Sequence, residues 1–216
     1  MMSNILKAAK LDFALMKQYT KSILFTIFFP VCIALLNRSM IFGISFAMCF
    51  SSATSSYTFS ICEANNMERF YGILPIKRSE FVLGRYLLII LQGVLTITVS
   101  IILQLLALRI VGENVQMPQI TSSFLTGILL YSTYTAFLIP GFYKYGSIKG
   151  RVFLFFPTLG FLATLFILPK LSLKIPAVSI ALNSPAVLFA VVFVSIVIMY
   201  FISMCISVRI TEHKEI

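Results

Sequence analysis

The charged side chains that could do chemistry are concentrated in residues 63–86, which read EANNMERFYGILPIKRSEFVLGRY. This stretch carries three glutamates and four Lys/Arg residues between two long apolar segments. Glutamates can act as general acids, general bases or metal ligands, but the chain offers no HExxH, no CxxC and no nucleophile paired with a base. The sequence therefore predicts no catalytic residue and no metal site, and an intramembrane enzyme is disfavoured.

The sequence also disfavours phosphate-loop nucleotide binding and nucleic-acid binding. The string nearest to a phosphate-binding loop, GFYKYGS at residues 141–147, lacks the required lysine and follows an apolar helix rather than a strand. The net charge of +10 would suit a nucleic-acid-binding protein. The basic residues, however, lie in loops between apolar runs, as the positive-inside rule describes for membrane proteins. We expect no bound cofactor in this chain and no nucleic-acid partner.

The composition predicts an all-α polytopic membrane protein. Of the 216 residues, 59% are hydrophobic and only 11% are charged, whereas a soluble domain carries about a quarter charged residues. A helix needs roughly 20 apolar residues to cross a bilayer, and runs of 17 to 25 residues are typical. We predict six transmembrane helices, at about 22–37, 40–62, 83–108, 122–143, 152–168 and 185–207.

The distribution of Lys and Arg predicts the orientation of these spans. Thirteen of these residues fall in the N-terminal segment, the second and fourth connections and the C-terminal tail, whereas four fall in the other connections. The positive-inside rule then places both termini in the cytoplasm. Residues 1–21 are predicted to form an amphipathic surface helix, because lysines alternate there with apolar residues at roughly helical spacing. The apolar residues are Ile5, Leu6, Ala9, Phe13, Leu15 and Met16.

Residues 63–86 are then cytoplasmic, and their first part, residues 63–74, is predicted to be a short amphipathic helix. Pro75 ends that helix, and Ser79 is the expected N-cap of the third span, with Glu80 in its first turn. An interfacial anchor and a docking element for a cytosolic partner both fit this pattern. The residues alone leave these two interpretations open.

A hydroxyl-rich run, SSATSSYTFS at residues 51–60, lies inside the second predicted span. Small hydroxylated residues allow close helix packing and interhelical hydrogen bonds in a membrane. They could also line a mildly polar transport path. The candidate path-lining residues are Ser51, Ser52, Ser55, Ser56 and Thr58.

Two cytoplasmic motifs resemble those of the ABC-2 type transporter permeases. The first is the stretch EANNMERFYGILPIKRSEFVLGRYL at residues 63–87, with an acidic start, an LPIxR core and a VxGxY start of helix three. The second is PGFYKYGSIKGR at Pro140–Arg151. The resemblance implies that residues 63–80, here called the coupling segment, carry a coupling helix between helices two and three. Its matching residues are Glu68, Arg69, Phe70, Tyr71, Leu74, Pro75, Ile76 and Arg78, and those of the second motif are Tyr143, Gly146, Lys149 and Arg151.

The resemblance also implies partners and a function. The chain would be the membrane subunit of a bacterial ATP-binding-cassette exporter in the cytoplasmic membrane, surrounded by lipid. It would pair with a second permease copy or a paralogue and with separate cytosolic ATPase subunits that bind ATP and Mg²⁺. The chain resembles most the branch of this family that contains the membrane subunits of phenol-soluble modulin and other peptide exporters. By that analogy, the cargo would be amphipathic peptides or other lipophilic or antimicrobial compounds.

Two other functions share much of this pattern. A membrane scaffold or immunity protein that sequesters peptide without transport would need no ATPase. A secondary carrier is disfavoured, because no Asp or Glu lies in the middle of a predicted span and proton or ion relays are usually built on such residues.

Overall fold

The computed structural model of the chain describes residues 2–65, 67, 77–161 and 185–213. Within these ranges the chain is helical and contains no strand, which confirms the all-α prediction. Short 3₁₀ helices lie at Lys17–Tyr19 and Gly150–Leu154, and residues 155–161 after the second are again α-helical. The α-helices are α1 (Met2–Met16), α2 (Thr20–Asn37), α3 (Met40–Thr54), α4 (Ser56–Ala64), α5 (Arg78–Ile110), α6 (Met117–Lys149) and α7 (Pro185–Glu212).

Four helical stretches among the described residues are long and apolar enough to cross a bilayer: Thr20–Asn37, Arg78–Ile110, Met117–Phe161 and Val187–Glu212. They contain the first, third and fourth predicted spans and residues 187–207 of the sixth. The second predicted span corresponds to α3 and α4, which are 15 and 9 residues long. The fifth begins within Met117–Phe161, and its residues 162–168 lie outside the described ranges. The chain is thus a multi-pass helical protein, and the count of six spans stays a prediction.

The division between α3 and α4 follows from the hydroxyl-rich run. Side-chain hydroxyls there donate hydrogen bonds to carbonyl oxygens three residues earlier, which competes with regular helical bonding. Four residues of the run do so: Ser52, Thr54, Ser55 and Thr58. The Ser55 N–H also bonds to the Ser52 carbonyl, at 3.2 Å, in place of an α-helical partner. Ser55 keeps right-handed helical dihedral angles (φ −59°, ψ −21°), so the helix tightens at this point without reversing.

Two helix ends differ from the sequence prediction. α5 begins at Arg78 with extended Lys77 before it, because the Glu80 carboxylate accepts a hydrogen bond from the Lys77 N–H at 3.3 Å. The prediction that Ser79 is the N-cap was therefore wrong. α6 continues through Lys149, so most of the predicted fourth connection is helical. A kink interrupts it at Gly146 (φ 78°, ψ 178°).

Long-range contacts bring the ends of five helices together at one end of the bundle. Asp12 of α1 pairs with Arg85 near the start of α5, and Glu63 of α4 bonds to Ser147 of α6. Arg78 donates to the Thr211 carbonyl of α7 at 3.4 Å. At the opposite end, the α2–α3 turn approaches the α5–α6 connection, where an exposed pair joins Arg38 to Glu113 at 3.2 Å. We call the first group of helix ends the basic end.

The basic end carries most of the cations among the described residues. Eleven Lys/Arg residues lie there, and two, Arg38 and Arg109, lie at the opposite end. Those of the basic end are Lys7, Lys10, Lys17, Lys21, Lys77, Arg78, Arg85, Lys144, Lys149, Arg151 and Arg209.

Candidate functional site

A buried ion pair lies at the centre of the basic end. Arg85 donates from Nε to Oδ2 of Asp12 at 2.9 Å and from Nη2 to Oδ1 at 3.2 Å. The Asp12 and Arg85 side chains are only 2% and 7% exposed. A fork of two parallel hydrogen bonds fixes the guanidinium relative to the carboxylate in both distance and orientation. This contact holds α1 against the start of α5.

The remaining surroundings of Arg85 come from two further helices. Its Nη2 group lies 3.3 Å from the Cys62 sulfur of α4. Its guanidinium carbon lies 4.5 Å from the ring centre of Phe59 and 5.7 Å from that of Tyr143 in α6. Aromatic faces stabilise a desolvated cation through the ring quadrupole. One arginine thus connects α1, α4, α5 and α6, and we call Asp12, Phe59, Cys62, Arg85 and Tyr143 the junction.

Close packing brings α1 to this position. A Cβ added at Gly84 would lie 2.8 Å from the Ala8 Cβ and 2.9 Å from the Ile5 carbonyl oxygen, so glycine permits the two helices to touch. Ala8, Ala9 and Met16 are buried on the same side of α1 as Asp12. The apolar face predicted for α1 is divided, because Ala9 and Met16 are buried whereas Leu6 and Phe13 are 48% and 68% exposed. Whether these exposed residues enter a membrane surface stays a prediction.

Sequence reasoning missed Asp12. Two signals were available: Asp12 is the only acidic residue among the first 21, and Arg85 lies within an apolar run. A buried arginine is costly unless it is paired, so a partner for Arg85 was required. The pairing itself joins residues 73 positions apart. Local spacing contains no information on a contact of that range.

The second link of the basic end joins the two sequence motifs. The Glu63 carboxylate accepts a hydrogen bond from the Ser147 N–H at 2.8 Å and another from the Ser147 hydroxyl. Gly146 precedes that N–H with φ 78° and ψ 178°, a conformation that is essentially confined to glycine. A Cβ at position 146 would lie 2.8 Å from Glu63 Oε1. The glycine kink therefore lets Ser147 bind Glu63, the first residue of the coupling segment.

The predicted coupling residues have different outcomes. Arg78 is the first residue of α5, at the basic end. In the second motif, Tyr143 belongs to the junction and Gly146 forms the kink, whereas Lys149 and Arg151 are exposed. The residues outside the described ranges are Glu68, Arg69, Phe70, Tyr71, Leu74, Pro75 and Ile76.

The candidate path-lining residues are buried among helices. Ser51 shares a hydrogen bond with Thr96 of α5 at 3.0 Å, and Gln92 of α5 donates to Thr54 at 2.6 Å. These contacts fit the packing role considered for the hydroxyl-rich run. Ser56 also lines a cavity of about 400 Å³. The buried candidates are Ser51, Ser52, Ser55, Ser56 and Thr58, each 5% exposed or less.

α5 turns a row of polar side chains toward the interior of the bundle. Gln92, Thr96, Ser100 and Gln104 follow each other at four-residue spacing, and the last three are buried. Within the described ranges, Gln92 Oε1, Ser100 Oγ and both amide atoms of Gln104 have no hydrogen-bond partner. A polar group without a hydrogen-bond partner carries a high free-energy cost inside a membrane. The interior face of α5 is therefore less completely bonded than its junction with α1.

Comparison with known proteins adds one match. A family model described as ABC-2 family transporter protein matches residues 9–212, a range that includes Asp12, both motifs and α7. No curated protein and no solved structure matches the chain.

Proposed function

The chain belongs to the ABC-2 transporter family, and we propose that it is the membrane-spanning permease subunit of an exporter driven by a separate ATPase. Membership in this family identifies a membrane transport component that is not itself catalytic, and it generally implies a cytosolic ABC ATPase partner. In our proposal, two permease subunits, identical or paralogous, pair with ATPase subunits that bind ATP and Mg²⁺.

The observation that carries this proposal is the bond between Glu63 and Ser147. A subunit that uses ATP hydrolysed elsewhere needs a mechanical connection from its docking segment to its transmembrane helices. Glu63 begins the coupling segment and is bonded to the second motif, and the adjacent Cys62 contacts Arg85 of α5. A displacement of the coupling segment would reach α4, α5 and α6 through these contacts together.

We place the basic end in the cytoplasm. The excess of Lys and Arg at this end supports that orientation. The membrane we propose is the bacterial cytoplasmic membrane. ATPase closure would press on the coupling segment and shift the helices attached to the junction. The interface between the two permease subunits would then switch between two arrangements, as packed interfaces commonly do.

For the cargo, we propose amphipathic peptides or other lipophilic or antimicrobial compounds. This choice rests on the resemblance of the two motifs to those of peptide-exporter permeases.

The docking assignment is tested by co-expression with the cognate ATPase. The double variant Arg69→Ala/Phe70→Ala should reduce ATPase co-purification and cargo-stimulated ATP hydrolysis about tenfold or more, equivalent to roughly 1.4 kcal/mol. The amount of membrane-inserted permease should not change. Lys7→Ala, an exposed charge removal on α1, is the matched control and should retain both activities.

Undiminished coupling in the Arg69→Ala/Phe70→Ala variant would refute the docking assignment. If no ATPase associates with the unaltered chain while peptide is still bound, the chain acts as a sequestering scaffold or immunity protein. If transport follows an ion gradient without ATP, the chain is a secondary carrier.

The orientation is tested by cysteine labelling in a variant whose four native cysteines are replaced. Asn114→Cys, at an exposed position of the α5–α6 connection, should react with a membrane-impermeant maleimide added outside intact cells. Lys144→Cys, at an exposed position of the basic end, should react only after the membrane is permeabilised. The opposite labelling pattern would invert the proposed topology.

A further inference from the structure

A cavity of about 400 Å³ lies between α2, the α3–α4 boundary and the 3₁₀ helix Gly150–Leu154. One part of its wall is apolar and includes Phe25, Phe50 and Leu154. Another part carries the hydroxyls of Ser22, Thr26, Ser56 and Tyr57. Among the described residues that line the cavity, Arg151 is the only one with a cationic side chain. The cavity therefore combines a positive charge, hydrogen-bonding groups and an apolar surface.

The hydroxyl wall is held in place by contacts within the chain. Ser22 Oγ and the Tyr57 hydroxyl share a hydrogen bond of 2.7 Å that connects α2 to α4. The Tyr57 ring stacks on Tyr19, with ring centres 4.5 Å apart. A wall fixed in this way presents its polar atoms at defined positions before any ligand arrives.

Arg151 differs from the arginines that serve the fold. Arg85 is bonded to Asp12 and Arg38 to Glu113. Throughout the described ranges, no carboxylate pairs with the Arg151 guanidinium. Arg151 is exposed at the basic end, where Lys17 and Lys21 precede the cavity-lining turns of α2. The electrostatics of the cavity therefore favour an anion.

The position of the cavity selects the kind of anion. Its α2 residues, from Ser22 to Thr26, belong to the first two turns of the helix that begins at Thr20. At about 1.5 Å per residue, this places the cavity within roughly 9 Å of the helix start. With the start of α2 at the membrane surface, the cavity lies near the boundary between the headgroup layer and the hydrocarbon core. Phe25 is 58% exposed, so the apolar side of the cavity continues onto the outer surface of α2.

We propose that this cavity binds an anionic phospholipid, with its phosphate at Arg151 and an acyl chain along Phe25, Phe50 and Leu154. Basic pockets between transmembrane helices recognise acidic headgroups in this way. A free phosphate would use the cation and hydroxyls but would leave the apolar wall unoccupied. The bound lipid connects α2 to the second motif, and this site requires only that α2 crosses a membrane with the basic end at its surface.

The chain contains no tryptophan, which allows a clean fluorescence test. Leu154→Trp introduces a single reporter into the cavity wall, and the purified protein is reconstituted into vesicles that contain brominated lipid. Brominated phosphatidylglycerol should quench this reporter at a mole fraction about fivefold lower than brominated phosphatidylcholine, as expected for one cation acting on an acidic lipid. Adding Arg151→Gln should remove that difference, whereas Lys149→Gln, a nearby exposed charge removal, should preserve it.

Further arms separate the lipid from other sources of the signal. A reporter at Phe193→Trp, on the exposed face of α7 and 69% exposed in the native chain, should show no preference between the two lipids. Equal quenching by both lipids at Leu154→Trp, or a preference that survives Arg151→Gln, would overturn the proposal. Loss of the preference in millimolar inorganic phosphate at constant ionic strength would identify a free-anion site and equally overturn the lipid assignment. Far-ultraviolet circular dichroism verifies that each variant is folded, and Phe25→Trp replaces Leu154→Trp if that variant is not.

Discussion

Replacing Asp12 with leucine is expected to destabilise the protein by about 3–5 kcal/mol, the range observed when one member of a buried ion pair is removed. The variant leaves the buried Arg85 guanidinium without its carboxylate, although the Cys62 and Phe59 contacts remain. Among the described residues, Asp12 is the only acidic side chain bonded to Arg85. Thermal unfolding of the detergent-solubilised protein measures the loss, and limited trypsin cleavage at Lys7 and Lys10 reports release of α1.

Two control variants separate the lost charge pair from a general packing defect. The double variant Asp12→Leu/Arg85→Met removes both charges and should recover most of the stability, since a well-packed apolar replacement of a buried pair is often neutral. Glu113→Ala removes one partner of the exposed pair, whose Arg38 and Glu113 side chains are 71% and 37% exposed. That change should cost less than about 1 kcal/mol. Equal stability of Asp12→Leu and the unaltered chain would show that the pair does not hold α1.

The fold was predictable to the extent that it depends on long apolar runs. The spans at 83–108 and 122–143 lie within α5 and α6, because such runs can form little else in a membrane. The helix ends were less predictable, since they depend on individual hydrogen bonds. Glu80 fixes the start of α5 through the Lys77 N–H, and hydroxyl groups interrupt the helix at Ser55.

The candidate site was predictable in its motifs but not in its connections. Gly146 and Tyr143 were predicted only as members of a motif. The sequence did not indicate that Gly146 would lie against Glu63 or that the Tyr143 ring would lie near Arg85. These contacts depend on how α4, α5 and α6 are arranged in space. Periodicity along one helix reports which face is apolar and does not report which neighbour that face meets.

The start of α5 and its interior face differ in how completely their polar side chains are hydrogen-bonded, and this difference bears on coupling. At the junction, Arg85 is bonded to a carboxylate, a sulfur and two aromatic faces. Along the same helix, Ser100 and Gln104 are buried without hydrogen-bond partners in the described part of the chain. A helix that is firmly bonded at one end and incompletely bonded along its interior face can move as a lever about the bonded end. This arrangement suits a subunit that we propose to be driven from the basic end.

Replacing Gly146 with alanine is expected to uncouple ATP hydrolysis from transport. The alanine Cβ would lie 2.8 Å from Glu63 Oε1 and would occupy a backbone conformation (φ 78°, ψ 178°) that only glycine adopts readily. The strain amounts to about 1–3 kcal/mol, and the simplest way to relieve it is to separate Ser147 from Glu63. In proteoliposomes with the cognate ATPase, transport per ATP hydrolysed should fall about tenfold or more, equivalent to roughly 1.4 kcal/mol.

Gly112→Ala is the matched control, because Gly112 also has a positive φ (86°) but a Cβ there would meet nothing within 4 Å. It lies at the opposite end of the bundle and should lower stability through backbone strain while leaving coupling unchanged. Glu63→Gln keeps the side-chain shape but removes the charge that strengthens the bonds from Ser147, so it should lose coupling without the backbone strain. If Gly112→Ala uncouples as strongly as Gly146→Ala, the effect arises from stability alone. If Glu63→Gln and Gly146→Ala both transport normally, force reaches the transmembrane helices by a route other than the bond between the two motifs.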